Sequence, residues 1–160
     1  RRADMSDVYL SREGYEKLRD ELQELKGPER STVRTALQHA REFGDLSENA
    51  EYAAAKERLM FLEQRIYKLE ETLSRARLLE NENIPNDKVY IGATVELQDL
   101  KQDRQLTYTL VAPEEADFEH GKISTVSPIG QGLLGHLEGE EVEIEVPAGK
   151  LSYKILKITR

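Results

Sequence analysis

Arg41-Glu42-Phe43-Gly44-Asp45-Leu46-Ser47-Glu48-Asn49-Ala50-Glu51-Tyr52 is the stretch on which the fold turns, because the hydrophobic pattern enters it and leaves it with a helical period. On its N-terminal side, apolar or small residues fall at Leu18, Leu22, Leu25, Val33, Ala36, Ala40 and Phe43, with one longer gap around Pro28. Steps of about three and four residues keep side chains on one face of a helix. Ser11 stands at the start of this pattern as an N-cap candidate, although its capping box is imperfect. Gly27-Pro28 sits where the period slips, and a proline inside a helix removes a donor and crowds the preceding turn, so a bend is expected there.

On the C-terminal side, Tyr52, Ala55, Leu59, Leu62, Ile66, Leu69, Leu73 and Ala76 form a heptad seam. Only Gly44-Asp45-Leu46-Ser47 separates the two stripes, which is too short for anything but an antiparallel turn-back. The two helices therefore form a hairpin. With roughly 30 residues in each arm at ~1.5 Å per residue, the hairpin is expected to be about 45 to 50 Å long. Ala53, Ala54 and Ala55 near the turn let the arms approach closely and keep the tip thin.

Past Asn83-Ile84-Pro85-Asn86-Asp87, a cluster of turn formers, the period moves toward two. Strands are expected at Val89–Leu97, Gln105–Val111, Lys122–Val126, Glu141–Val146 and Leu151–Ile158, with Pro147-Ala148-Gly149-Lys150 as a hairpin loop. The fold class is α+β. A coiled-coil hairpin domain over 8–82, with its acidic tip near 44–49, is joined by a linker at 83–87 to a domain at 88–160 with a mostly antiparallel sheet.

Charged residues make up 34% of the 160-residue chain and aromatics 6%, which is much charge and little bulky core material, so some part should be elongated. There is no cysteine, and His39, His120 and His136 fit no zinc spacing. No apolar run approaches the ~20 residues of a membrane span, and a soluble cytoplasmic protein is the expectation. Arg1 to Asp4 precede Met5 and are set aside as vector-derived. The net charge of −8 argues against whole-surface attraction to nucleic acid. Divided after Ile84, the chain carries 15 basic and 18 acidic residues before the cut and 8 and 13 after it, so neither half is a basic tail.

The turn carries two compatible readings. In the structural one, Gly44 ends the first helix, and Asp45 with Glu48 three residues later has the spacing of a capping box opening the second. In the functional one, Asp45 and Glu48 are two exposed carboxylates that share a divalent cation or polarise a water. Two carboxylates cannot fill the ~6 oxygen positions that Mg²⁺ prefers, so the remaining ligands must come from another molecule. Arg41 and Lys56 flank the turn, with Arg34 and Arg58 further back. They are either solvated helix charges with i, i+4 partners or a small patch for a phosphate backbone. Tyr52 lies on the seam, which favours packing over stacking on a base. Gly130-Gln131-Gly132-Leu133-Leu134-Gly135 matches G-x-G-x-x-G formally, but Glu138-Gly139 cuts any following helix short. It reads as one helical turn burying Leu133 and Leu134.

Four stretches together resemble the Gre transcript cleavage factors, GreA more than GreB. They are Leu10-Ser11-Arg12-Glu13-Gly14-Tyr15-Glu16-Lys17-Leu18, then Ala40 through Tyr52, then Ile91-Gly92-Ala93-Thr94-Val95, and lastly Ser127-Pro128-Ile129-Gly130 with Leu133-Leu134-Gly135. The second is the most specific. The resemblance implies an FKBP-like C-terminal domain that docks at the rim of the secondary channel of bacterial RNA polymerase, while the hairpin passes down the channel. It implies that Asp45 and Glu48 act at the polymerase's catalytic centre, where they help hold its second Mg²⁺ and position water for hydrolysis of the 3′ end of a backtracked RNA. It implies that Arg41 and Lys56 face that RNA end. The factor would be an accessory protein, not itself an enzyme, acting as a monomer and without a membrane. Phe43 departs from the family, in which a polar residue or histidine is common before the tip glycine. The competing readings are an FKBP-like prolyl isomerase with a coiled-coil arm, for which Tyr90, Tyr108, Phe118 and Tyr153 make a thin aromatic pocket, and a coiled-coil interaction protein whose tip acids are caps only.

Overall fold

The computed structural model describes residues 7–44 and 49–160. Contacts divide the chain into two compact units, one of residues 13–76 and one of residues 7–12 with 77–160.

The first unit is the expected helical hairpin. Helix α1 (Arg12–Glu24) runs through a π-helical turn at Leu25–Glu29 into α2 (Arg30–Arg41), and α3 (Ala50–Ser74) returns. Pro28 lies inside the π turn. The wider turn takes up the missing proline N–H without ending the helix, which is how the expected bend is realised. Val33, Leu62 and Ile66 form the centre of the seam, with Leu22, Leu25 and Leu59 packed around them. Ala40, Ala55 and Leu69 are also buried.

Two parts of the sequence reading are corrected here. The second seam ends earlier than Ala76: α3 stops at Ser74, the backbone leaves helical space at Arg75 (φ −103°, ψ 2°), and Ala76–Leu78 becomes strand β2, paired with β1 (Val8–Leu10). The 25-residue α3 is accordingly about 38 Å long at ~1.5 Å per residue, shorter than expected. Phe43 is 61% exposed and lies off the stripe assigned to it, because α2 has already ended at Arg41.

Several charge pairs of this unit run across the hairpin, that of Arg58 among them, in place of the i, i+4 partner expected for it. Arg30 makes a two-pronged contact with Glu63 (2.8 and 2.8 Å), Arg65 does the same with Glu21 (2.7 and 2.8 Å), and Lys26–Glu70 and Arg58–Glu29 are further cross-hairpin pairs. The hydrogen bonds from Arg65 hold the Glu21 carboxyl below its usual range. These partly exposed pairs contribute little stability each, but together they disfavour a slip of one arm along the other.

The second unit is built on a five-stranded sheet in the order β5-β4-β3-β7-β6. The strands are β3 (Thr94–Asp99), β4 (Arg104–Val111), β5 (Lys122–Ser124), β6 (Glu141–Val146) and β7 (Gly149–Thr159). All neighbours are antiparallel except β4 and β5. The first strand begins at Thr94, not Val89, because Gly92 turns the chain at φ +90°. Val89 is still fully buried, its N–H donating to the His136 carbonyl. The β6–β7 hairpin is tighter than expected, since Val146 already faces Gly149 and only Pro147-Ala148 forms the loop. Leu156 is the extra residue where the β3–β7 register shifts, and the bulge turns it outward to 39% exposure.

Helix α4 (Pro128–Leu133) covers one part of the sheet, capped by the Ser127 hydroxyl, which accepts from the Gly130 N–H. Leu133 is fully buried and Leu134 packs on the same core, so the G-x-G-x-x-G stretch is the structural helical turn expected of it. Residues 7–12 join this unit through β1, through the Ser11 N–H and hydroxyl, which both donate to the Glu115 carboxylate (2.9 and 2.6 Å), and through the Asp7–Arg77 ion pair.

Tyr153 on β7 is 2% exposed. Burial, reinforced by Tyr108, pushes its phenol up from 10.0 to about 12. The folded state therefore favours the neutral phenol, and this contribution is intact below pH ~10 and lost as pH rises toward ~12. Tyr153→Phe is expected to flatten the alkaline loss of stability between those values, as read from thermal melts across that range. A variant and parent that lose stability in parallel would show that Tyr153 does not titrate there.

Candidate functional site

The candidate site lies where the hairpin turns. Of its four expected residues, Asp45 and Glu48 lie outside the described residues, while Arg41 and Lys56 lie within them.

Helix α2 ends with short-range hydrogen bonds, Glu42 N–H to His39 O (3.1 Å) and Phe43 N–H to Ala40 O (3.2 Å), and Gly44 follows at φ +96°. A residue with a Cβ is strained in that conformation, so the glycine is what lets the chain leave the helix here. Arg41 is the last residue of α2 and is exposed. Its guanidinium carbon sits 5.9 Å from the centre of the Tyr52 ring, in the range of a cation–π contact. Tyr52 is half-buried on the seam, as its spacing suggests, and also carries this cation. Lys56 is exposed on the following turn of α3. Neither Arg41 nor Lys56 has an ion-pair partner among the described residues, whereas Arg58 is held by Glu29. Arg41 and Lys56 thus stand one on each arm at the hairpin end. Arg34 lines a shallow groove of about 430 Å³ with Lys26, Arg30 and Gln38.

The capping-box reading is corrected. The N-cap of α3 is Asn49 (φ −93°, ψ 100°), whose side-chain oxygen accepts from the Tyr52 N–H at 3.0 Å. Its carboxamide nitrogen donates to the Ala40 carbonyl at 2.6 Å, so the same side chain ties the start of α3 to the end of α2. Sequence reasoning passed over Asn49. Its signal was present, since asparagine is among the best N-caps, but the spacing of Asp45 and Glu48 imitated a box one turn too early. Among the described residues, no group of three or more His, Cys, Asp or Glu side chains could hold a metal.

The second unit carries a separate feature. A groove of about 370 Å³ is lined mainly by apolar residues, among them Phe118, Ile123, Pro128, Ile129, Val146 and Pro147. Phe118 and Val126 are 66% and 62% exposed.

Residues 8–78 match the family described as transcription elongation factor, N-terminal, and residues 84–160 match transcription elongation factor, GreA/GreB, C-term. A helical hairpin and a sheet domain, each matched in turn, define a transcription elongation factor. The chain belongs to the GreA/GreB family of these factors. It is 53% identical over 155 residues to the transcription elongation factor GreA of Chloroherpeton thalassium, covering 96% of this chain and 98% of the relative. It is 42% identical over 158 residues to that of Syntrophomonas wolfei, covering 99% of each. Among solved structures it is similar to GreA factor homolog 1 (Gfh1) of Thermus thermophilus, at 32% identity over 96% of this chain and 99% of that one, with a TM-score of 0.44.

Proposed function

We propose that the chain enters the secondary channel of bacterial RNA polymerase and stimulates the polymerase's own hydrolytic cleavage of the 3′ end of backtracked RNA, rescuing arrested complexes. The observation that carries this reading is the hairpin end itself. Two exposed cations without ion-pair partners among the described residues, Arg41 and Lys56, stand on the two arms that bracket Asp45 and Glu48. That arrangement suits a phosphate backbone alongside a pair of carboxylates.

The donor chemistry fits Mg²⁺, since Asp45 and Glu48 offer hard oxygens. Two carboxylates leave most of the ~6 oxygen positions around Mg²⁺ unfilled, so the rest of the shell would come from the polymerase. Mg²⁺, when bound, supplies a polarised water and neutralises charge developing on the scissile phosphate. The roles of this chain's residues follow from their chemistry. Asp45 and Glu48 contribute carboxylate oxygens to the shared ion and orient the water, while Arg41 and Lys56 hold the phosphates of the RNA 3′ end. The apolar groove around Phe118 and Ile129 is a surface on which the sheet domain could dock at the channel rim.

The chain acts on this account as an accessory factor. Incubated with RNA alone it should release no fragments, and added with purified polymerase to a stalled, backtracked complex it should shorten the transcript from its 3′ end. Fragment release without polymerase, or no acceleration with it, would overturn the proposal.

A further inference from the structure

Asn49 joins the two arms where the hairpin turns. Its side-chain oxygen caps α3 through the Tyr52 N–H, and its side-chain nitrogen donates to the Ala40 carbonyl, nine residues back in α2. Its own carbonyl accepts the first helical bond of α3, from the Ala53 N–H at 3.1 Å. The two residues so linked are not peripheral. Ala40 is 2% exposed and immediately precedes Arg41, and Tyr52 is the residue under the Arg41 guanidinium. One carboxamide thus ties the end of α2 to the start of α3 beside the place from which Arg41 projects.

The chemistry selects asparagine among the good caps. Asp and Ser can accept from the Tyr52 N–H equally well. Aspartate has no proton to donate to the Ala40 carbonyl and would set a negative oxygen against it, and serine is too short to span both contacts. Capping alone would not require a donor. Resting on the proposed cleavage reading, we infer that Asn49 is a positioning residue, acting through Ala40 and Tyr52 to hold Arg41 in place for the phosphates of the RNA 3′ end.

The test compares Asn49→Asp and Asn49→Ser with the parent chain and with Asp45→Asn/Glu48→Gln in the backtracked-complex assay. Both Asn49 variants keep the cap and lose one hydrogen bond, so their melting temperatures should fall by no more than about a few degrees, and the concentration needed for half-saturation of polymerase should match the parent. The cleavage rate at saturating factor should fall about tenfold or more in both, because a displacement of ~1 Å in reacting groups can cost as much as a hundredfold. Agreement between the charged and the uncharged variant assigns the loss to the missing bridge and not to an added charge. Unchanged saturated rates in both overturn the inference, as does a loss explained wholly by weaker binding or a lower melting temperature, which marks a structural cap. If the Asp45→Asn/Glu48→Gln control also cleaves at the parent rate, it is the cleavage reading that has failed.

Discussion

Replacing Gly130 by alanine should lower the melting temperature of the second unit sharply. In an ordinary helix the change would be favourable, since alanine has a higher helix propensity than glycine by about 1 kcal/mol. Here a Cβ at 130 would stand 2.1 Å from the Ser124 carbonyl oxygen, a backbone atom of strand β5 that also accepts from the Ser127 hydroxyl at 2.6 Å. Nothing flexible can give way. Relief requires moving α4 off β5, which opens the core around Leu133, and overpacking with backbone displacement costs about 3 kcal/mol or more. Clash outweighs propensity, and for a unit of this size the loss corresponds to a fall of at least about 12 °C. A Gly132→Ala companion should do less, because the atoms nearest its Cβ belong to the Ile144 side chain and not to backbone. A melt for Gly130→Ala within a few degrees of the parent would show that α4 does not sit against Ser124 as described.

The largest functional effect is expected from Asp45→Asn/Glu48→Gln. The exchange replaces two carboxylates by carboxamides of nearly the same shape, so it removes the charge that a divalent ion needs while leaving the segment's size unchanged. Helix α3 should be unaffected, since its cap is Asn49 and not either acid. On the proposed reading, cleavage in backtracked complexes falls to the rate of polymerase alone, while the double variant still competes with the parent for polymerase. A double variant that cleaves normally would leave those acids with no part in the chemistry.

How much of this was legible in the sequence follows from how local each signal is. The heptad seam found Ala55, Leu62, Ile66 and Leu69, all buried, because a repeat of seven depends on nothing beyond the helix and its partner. Pro28 announced an irregularity, although a π turn and a break carry the same proline signal in the sequence. Strand β6 was placed to the residue by its alternation. The misses are tertiary. Val8–Leu10 and Ala76–Leu78 are strands only because they meet each other across the whole hairpin, and three residues carry no readable period. The ion pairs of Arg30 and Arg65 needed the antiparallel register before partners on the other arm could be chosen. At the turn, the positions of Arg41 and Lys56, one on each arm, were legible from their places beside Gly44 and Tyr52. Asn49 was not, because its second hydrogen bond reaches a backbone carbonyl nine residues away, which no side-chain pattern encodes.

The central claim is that the tip acids help hold a metal ion inside the polymerase. It is tested most directly by the rate of 3′ cleavage in a backtracked complex as Mg²⁺ is varied, for polymerase alone, with the parent chain and with Glu48→Gln. The account predicts that the parent chain lowers the Mg²⁺ concentration giving the half-maximal rate and that Glu48→Gln returns it toward that of polymerase alone. The same Mg²⁺ dependence in all three would contradict it.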